Sequence, residues 1–448
     1  MKKISIIGLG YVGLPTFLIL SNLKKNNSFL YKVEGVEKND HRGNQIKKFF
    51  EKKKKWIHSE DPNYHNLFNK ACSRKDIKIN TNLNNLSKSK VIIVSIGFEF
   101  TKKENSFENL KKLVAEIANR IDKKTLVMFE STLPPGTTDK VIIPIFKKIL
   151  EKRKIKLEDI FLCYSYERVT PGFNYIDSII SSFRCYSGIN KYSKEKCKNF
   201  LKTFINYKKF KLTEFNKIIE CETSKVLENS YRASNIAFID EWTKASKIIK
   251  VDLNKIVAAI RLRDTHSNIM WPGLGVGGYC LTKDPSFMDF SIRNFFKQKN
   301  KFPMVAQSLQ INKKMTQTSE NFIYSIVKNI NKKKILICGL SYKEDVADLR
   351  FSPSLNLIAA LKKRGAIISA FDPYYLSGKN IISDQFKLID SFNENFDTII
   401  FCVAHKKFKS IIFKKKINTK IFDLNRVLSL KQIKTLKKNR YFKLGSYS

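Results

Sequence analysis

Arginine is scarce. Only 14 of the 84 basic residues in this 448-residue chain are Arg, and the formal net charge of +44 comes mostly from lysines spread end to end among Asn, Ile and Phe. Arg supplies the planar fork that reads phosphates and base edges. A charge built from dispersed Lys therefore argues against nucleic acid as a partner and suits a small anionic ligand. Paired cysteines are absent as well. Cys72, Cys163, Cys185, Cys197, Cys221, Cys280, Cys338 and Cys402 include no Cys-x-x-Cys spacing, which removes zinc and dithiol motifs, so no metal is expected. Scattered thiols in a chain of this size read as reduced, in a cytoplasmic protein. Long apolar runs are missing too. The uncharged stretch from Ile4 to Leu23 follows Met1-Lys2-Lys3 as an export signal would. It carries Gly8, Gly10, Gly13 and Pro15, however, and lacks a small-x-small cleavage site near its end. No membrane partner is expected.

What is present is enough apolar material for a packed protein. Hydrophobic residues make up 43% and aromatics 12%, which excludes disorder for most of the chain, and the length fits about three domains. Short apolar runs at Ile4–Leu9, Tyr31–Val36, Val91–Ile96, Thr125–Phe129 and Ile160–Tyr164 alternate with Lys-rich amphipathic segments. That rhythm predicts a parallel sheet with helices on both faces. The segment Lys52–Lys55, flanked by Phe49, Phe50 and Trp56, reads as a solvated helix face rather than a binding patch. From Glu220 to about Lys250 there is no Gly or Pro, and Val226, Leu227, Tyr231, Ile236, Ile239 and Trp242 recur near helical spacing. This predicts one helix roughly 45 Å long. Alternation returns at Ile335–Gly339, Ile367–Phe371, Thr398–Val403 and Lys420–Leu424, with a helix over Ser354–Arg364 closed by Gly365. The expected fold is α/β: two Rossmann-like, doubly wound parallel-sheet domains, at 1–213 and 319–448, joined by a helical central and dimerisation domain at 214–318.

The stretch Gly8-Leu9-Gly10-Tyr11-Val12-Gly13 lies between a predicted strand and a predicted helix. In that setting the first glycine makes the turn, the second admits a pyrophosphate and the third lets helix and strand pack, while the helix N-terminal amides hold phosphate. Glu37 ends the next strand, where a carboxylate binds ribose hydroxyls and repels a 2′-phosphate, so the expected cofactor is NAD rather than NADP.

Six ordered segments resemble the UDP-glucose/GDP-mannose dehydrogenase family: GLGYVGLP at Gly8–Pro15, ESTLPPGTT at Glu130–Thr138, SYERVTPG at Ser165–Gly172, KVLEN at Lys225–Asn229, GVGGYCLTKDP at Gly275–Pro285 and GLSYKEDVADLRFSP at Gly339–Pro353. They span almost the whole chain. The resemblance implies NAD-dependent oxidation of a nucleotide sugar at C6, from hydroxymethyl to carboxylate, in two hydride transfers. The product would be a uronic acid for surface polysaccharide. An aldehyde loses a second hydride readily once a thiol has added to it, since the thiohemiacetal collapses to a thioester that water opens. By resemblance Cys280 is that nucleophile. Lys225 would stabilise charge on the C6 oxygen, Asn229 would hold substrate oxygens, and Asp284 would hold water or orient the Lys. Glu167 is a candidate base for thioester hydrolysis, and Thr132 lies near nicotinamide and water. Arg168, Gly277, Tyr342, Lys343 and Arg350 would meet the UDP-sugar. Arg232 shares a helix face with Lys225 and Asn229 and would either join them or pair with Glu228. No second dinucleotide is expected after Gly339, where the Gly-x-Gly-x-x-Gly pattern is absent.

Several positions depart from the family pattern. Ser95-Ile96-Gly97-Phe98 stands where relatives carry Pro-Thr-Pro, and Tyr166 replaces a Pro before Glu167. His266 replaces an Arg that reaches across a dimer, a role open to Arg261 or Arg263. Lys283 resembles the UDP-glucose branch, whereas Glu167-Arg168-Val169 with Pro171-Gly172 resembles the N-acetylhexosamine branch. The expected substrate is UDP-N-acetylglucosamine or UDP-N-acetylmannosamine ahead of UDP-glucose, and the expected assembly is a homodimer or a dimer of dimers. A two-electron hydroxyacid dehydrogenase and a catalytically silent nucleotide-binding homologue are the competing readings.

Overall fold

The computed structural model describes residues 1–98, 106–299, 302–375, 384–393, 395–413 and 418–447. They form two compact units, Met1–Leu227 with Phe287–Lys301, and Glu228–Ser286 with Phe302–Ser448. The boundaries between the units fall at Leu227, Ser286 and Lys301, within the segment the sequence reads as a helical middle. Among the described residues of that segment, Ile239, Leu253 and Val257 form a small apolar cluster, while Ile218, Cys221 and Val226 belong to the core of the first unit.

The first unit is built on eight strands: β1 (Lys2–Ile7), β2 (Tyr31–Val36), β3 (Lys78–Asn80), β4 (Val91–Val94), β5 (Leu126–Phe129), β6 (Phe161–Tyr164), β7 (Arg184–Gly188) and β8 (Leu212–Glu214). Their order across the sheet is β8-β7-β6-β5-β4-β1-β2-β3. Register is set by continuous apolar runs: Ile4 of β1 lies opposite Val33 on one side and Val91 on the other. Such runs are buried on both faces, one against each of two apolar cores, as a parallel sheet covered by helices requires. From β1 to β6 all neighbours are parallel and the order reverses between β1 and β4. That is the switch point at which α/β sheets open a crevice at their carboxyl ends. Strand β7 departs from the all-parallel expectation, pairing antiparallel to β6 with Cys163 opposite Gly188. The β6–β7 connection holds one four-residue helix, Asp177–Ile180, too short to carry the chain back across the sheet as a βαβ unit.

The second unit contains β9 (Lys334–Cys338), β10 (Ile367–Phe371), β11 (Lys387–Leu388), β12 (Thr398–Phe401), β13 (Lys420–Asp423) and β14 (Tyr441–Lys443). Their order is β11-β10-β9-β12-β13-β14 and every pairing is parallel. This is the same winding as β1 to β6. The helices include α1 (Gly13–Asn22), α2 (Ile143–Lys152), α3 (Ile218–Ile248) and α4 (Leu253–Ile260). Helix α3 is the long helix the sequence predicts, shifted by two residues at each end. Among the described residues, no helix is long and apolar enough to cross a membrane.

Candidate functional site

In the first unit the glycine loop runs from the end of β1 into α1. Gly8 has φ +89°, and a Cβ there would sit 2.6 Å from the Ser95 carbonyl oxygen; one on Gly13 would sit 1.8 Å from the Gly8 oxygen. Both positions are closed to any side chain. A Cβ on Gly10 would meet nothing within 4 Å. The open side of the loop is thus the one a dinucleotide phosphate would approach, and the residues fit that group. The loop backbone is pinned from three directions. Glu37 Oε1 accepts from Leu9 N (2.5 Å), Trp56 Nε1 donates to Leu9 O (3.0 Å) and Tyr175 Oη donates to Tyr11 O (2.6 Å). Glu37 is buried at the end of β2, so its carboxylate orients the loop as well as standing where a ribose would bind. Trp56 and Tyr175 carry no motif that would reveal this role. Trp56 follows the Lys52–Lys55 run, which lies just beyond a helix ending at Glu51.

The carboxyl ends of β5 and β6 carry the next group. Glu130 and Arg184 form an ion pair with both side chains fully buried. Ser95 Oγ donates to the other Glu130 oxygen at 2.7 Å, and Arg184 Nε donates to Ser165 Oγ at 3.2 Å. Burial pushes the Glu130 carboxyl above its ordinary range, against the pull of Arg184 and Ser95, and the nearby negative charge of Glu167 adds to the rise. Thr132, two residues on, is half-buried, and the adjoining Ser131 is tied to the β4 end through Ile96 O (2.7 Å). Glu167 is buried, and its carboxylate accepts from Val169 N. Lys225, on the first turns of α3, is also buried and donates through Nζ to the main-chain oxygen of Glu167 (3.0 Å). The structure therefore brings Lys225 and Glu167 together, by a bond to the backbone rather than to the carboxylate. Arg168 is half-buried, donating to Phe183 O and to Tyr166 Oη.

Sequence reasoning missed Glu222, three residues before Lys225. It is fully buried and accepts from Gly136 N (2.6 Å), Thr138 N (2.9 Å) and Thr138 Oγ1 (2.7 Å). The Pro-Pro-Gly-Thr-Thr turn leading into α2 is thereby tied to α3. Burial pushes the Glu222 carboxyl up to about 8 despite those donors.

In the second unit Cys280 is exposed, whereas Cys72 is half-buried and the other six cysteines are buried. It opens a turn in which Lys283 N and Asp284 N donate to its carbonyl oxygen (3.2 and 2.9 Å). Beneath the turn lies Asp284, fully buried, with one oxygen 2.7 Å from Asn229 Nδ2 and the other 2.5 Å from Lys283 Nζ. Asn229 is itself buried. Low dielectric strengthens both bonds, and the ammonium offsets the buried carboxylate. Tyr279, beside Cys280, has the Lys283 ammonium 4.7 Å and the Arg350 guanidinium 5.6 Å from its ring centre.

A Cβ on Gly277 would lie 2.7 Å from Tyr342 Cβ and 2.8 Å from Phe351 O, and Gly278, at φ +77°, would meet the Tyr342 ring at 2.5 Å. The space on the Cβ side of Gly277 is taken by the chain itself. Arg350 is not an uncommitted anion receptor, because its Nε and Nη2 fork the Asp348 carboxylate at 3.0 and 2.6 Å. Arg261 donates to Ile269 O (2.5 Å) and stacks over Trp271, so it is already engaged, while Arg263 is exposed at the start of the short turn that holds His266. Lys343, half-buried, loses proton affinity to burial and to the positive charge of Arg232, against the pull of Glu344 and Asp345. After Gly339, Asp372 accepts from Leu340 N (2.6 Å) as Glu37 does from Leu9, and His405 Nε2 lies 3.2 Å from Asp372.

Three models of one family match consecutive parts of the chain: the NAD binding domain of the UDP-glucose/GDP-mannose dehydrogenase family at residues 2–204, its central domain at 220–314 and its UDP binding domain at 336–430. A UDP-N-acetyl-D-mannosamine dehydrogenase of Methanococcus vannielii is 31% identical over 445 residues, covering 96% of this chain and 94% of the relative. Two solved structures share the fold. The UDP-D-ManNAc dehydrogenase from Pyrococcus horikoshii has a TM-score of 0.79 at 22% identity, covering 99% of each chain. A UDP-glucose dehydrogenase from Pyrobaculum islandicum has a TM-score of 0.81 at 18% identity, covering 100% of this chain and 98% of that one.

Proposed function

This chain belongs to the UDP-glucose/GDP-mannose dehydrogenase family, and from that premise we propose that it oxidises C6 of a UDP-N-acetylhexosamine to the carboxylate, with UDP-N-acetylmannosamine ahead of UDP-N-acetylglucosamine. The observation that carries the four-electron reading is Cys280, the exposed thiol among eight, in a turn seated on the buried Asp284–Asn229 pair. The preference for an N-acetylated sugar is supported by Arg168, whose guanidinium can donate to an acetamido carbonyl, and by the name of the Methanococcus vannielii relative.

NAD, when bound, takes up the hydrides. The chain's own residues do the rest. The Cys280 sulfur adds to the C6 aldehyde, and loss of hydride and proton from that adduct leaves a thioester. Water then cleaves the thioester, returning the thiol and releasing the acid. Lys225, its ammonium held by the Glu167 carbonyl, stabilises negative charge on the C6 oxygen. Glu167 takes the proton of the attacking water, with Thr132 beside it. Asp284 fixes the amide of Asn229, which contacts substrate oxygens. Arg232 and Lys343 take the diphosphate, with Tyr342 alongside. The product is an activated uronate, a donor for polysaccharide synthesis in the cytoplasm. A second copy of the chain covers the apolar ridge of α3, where Tyr231, Phe238 and Trp242 are each about half exposed at helical spacing, giving a homodimer.

The test is NADH yield per sugar. Two NADH per UDP-N-acetylmannosamine supports the proposal; one indicates a two-electron enzyme, and none a silent homologue. UDP-glucose is the second reading, because Lys283 resembles that branch, and a kcat/KM preference for UDP-glucose over both N-acetylated sugars would establish it.

A further inference from the structure

Tyr166 is a large side chain with 1% of its surface exposed, and it touches both cations of the first unit to which the mechanism gives work. Its hydroxyl accepts from Arg168 Nη2 (3.0 Å) and Ser224 Oγ (3.0 Å) and donates to Cys185 Sγ (3.4 Å). A phenol has one donor and two lone pairs; Cys185 and Arg168 engage the donor and one lone pair, and Ser224 Oγ divides its one proton between the phenol and the Cys221 carbonyl oxygen (3.0 Å). Burial holds the phenol protonated, which keeps that donor in place. The ring is used as well: the Lys225 ammonium lies 5.3 Å and the Arg168 guanidinium 5.2 Å from its centre, within cation–π range. Lys225 is thus held between the Tyr166 ring and the carbonyl of the next residue, Glu167 (3.0 Å). Arg168 is held at one end by Phe183 O and at the other by the phenol.

We propose that Tyr166 is a positioning residue with two separable parts, the hydroxyl aiming Arg168 at the N-acetyl group of the sugar and the ring holding the Lys225 ammonium for the C6 oxygen. The proposal rests on the roles proposed for Arg168 and Lys225 in the oxidation. It assigns sugar discrimination to a residue that touches no substrate, and it separates discrimination from turnover within a single side chain.

The test uses Tyr166→Phe and Tyr166→Leu in the full-length chain, with kcat expressed per titrated NAD-binding site so that misfolded material does not count. Phe keeps the ring and removes the hydroxyl. Losing a bond to a charged group is worth about 10-fold or more. Y166F is therefore expected to raise KM for UDP-N-acetylmannosamine about 10-fold, with kcat within about threefold of wild type. The KM of UDP-glucose, or its inhibition constant where it is not turned over, is expected to move less than threefold. Y166L also removes the ring and is expected to lower kcat about a further 10-fold. A merely structural role would move both sugars alike. Equal shifts for the two sugars, or unchanged constants in an active Y166F, would overturn the proposal while leaving the functional reading intact. If Y166L does not fold, the sugar ratio of Y166F decides alone. A wild-type chain that oxidises no UDP-sugar would overturn the functional reading and the proposal with it.

Discussion

Replacing Asn229 by Asp swaps an amide nitrogen for an oxygen in a nearly isosteric side chain, directly against a fully buried carboxylate, Asp284. In the wild-type chain Asn229 Nδ2 donates to Asp284 at 2.7 Å, with both residues buried. In N229D two carboxylate oxygens meet at that distance. At an effective dielectric of about 20, two unit charges 2.7 Å apart repel by roughly 6 kcal/mol. Lys283, bonded to the other Asp284 oxygen, offsets part of this. The pair avoids the remainder by sharing one proton, as closely spaced carboxylates do. Folding then takes up a proton that the unfolded chain has released. The sign comes from linkage: above the ordinary carboxylate range the folded variant binds more protons than the unfolded one, so its stability falls as pH rises, by up to about 1.4 kcal/mol per pH unit, until the shared proton leaves. Asn229→Ala makes no such pair. It removes one donor from the buried Asp284 carboxylate, a loss of about 1.5–3 kcal/mol that does not grow with pH. Thermal unfolding of the wild type, N229A and N229D at pH 5.5, 7 and 8.5 tests this directly. N229D is expected to match or exceed N229A at pH 5.5 and to fall well below it at pH 8.5. Parallel pH curves for the two variants would refute the buried pairing of Asn229 with Asp284.

Cys280→Ser is expected to abolish carboxylate formation while NAD binding, measured by fluorescence titration, persists, because the glycine loop lies in the other unit; acid production at the wild-type rate would remove Cys280 from the mechanism. NAD is expected to be preferred to NADP. Glu37→Ala should weaken NAD binding by about 1–3 kcal/mol, since Leu9 N loses its buried partner; equal kcat/KM with both cofactors in the wild type would contradict the assignment. Glu222 gives a stability component that falls with pH. Its carboxyl is raised from 4.5 to about 8, so between those values the folded chain holds a proton that the unfolded chain has lost, and stability declines as pH rises through the window. The difference in unfolding midpoint between wild type and Glu222→Gln, followed from pH 5 to 9, should shrink as pH rises, and a constant difference would show that the three donors keep Glu222 ionised throughout.

The local patterns of this chain determined its elements with little help from tertiary context. Tyr31–Val36 and Ile367–Phe371 became strands with those very limits, and the continuous apolar runs at Val91–Val94 and Leu126–Phe129 are buried at every position, because a strand buried on both faces needs no alternation to declare itself. The absence of Gly and Pro after Glu220 determined the long helix, since nothing in that stretch stops an α-helical ladder. The need for glycine at Gly8 and Gly13 was also legible, since the φ of +89° at Gly8 and the approach of Gly13 to the Gly8 oxygen arise within the loop, although Ser95, far along the chain, closes the space beside Gly8. Long-range placement was decided by the tertiary structure alone. No local signal says that β7 reverses, that Trp56 and Tyr175 grip the glycine loop, or that Glu222 closes on a turn more than eighty residues earlier. Gly277 shows the difference at one position. The sequence marked it as small, but only the fold decided that Tyr342 and Phe351 would occupy the space. The same holds for Tyr166, which the sequence showed only as an unexpected residue before Glu167. Its meaning comes from the guanidinium, the ammonium and the hydroxyl gathered around it. Buried polar groups must find partners wherever the chain brings them, and those partners are set by packing across the sheet rather than by spacing along the sequence.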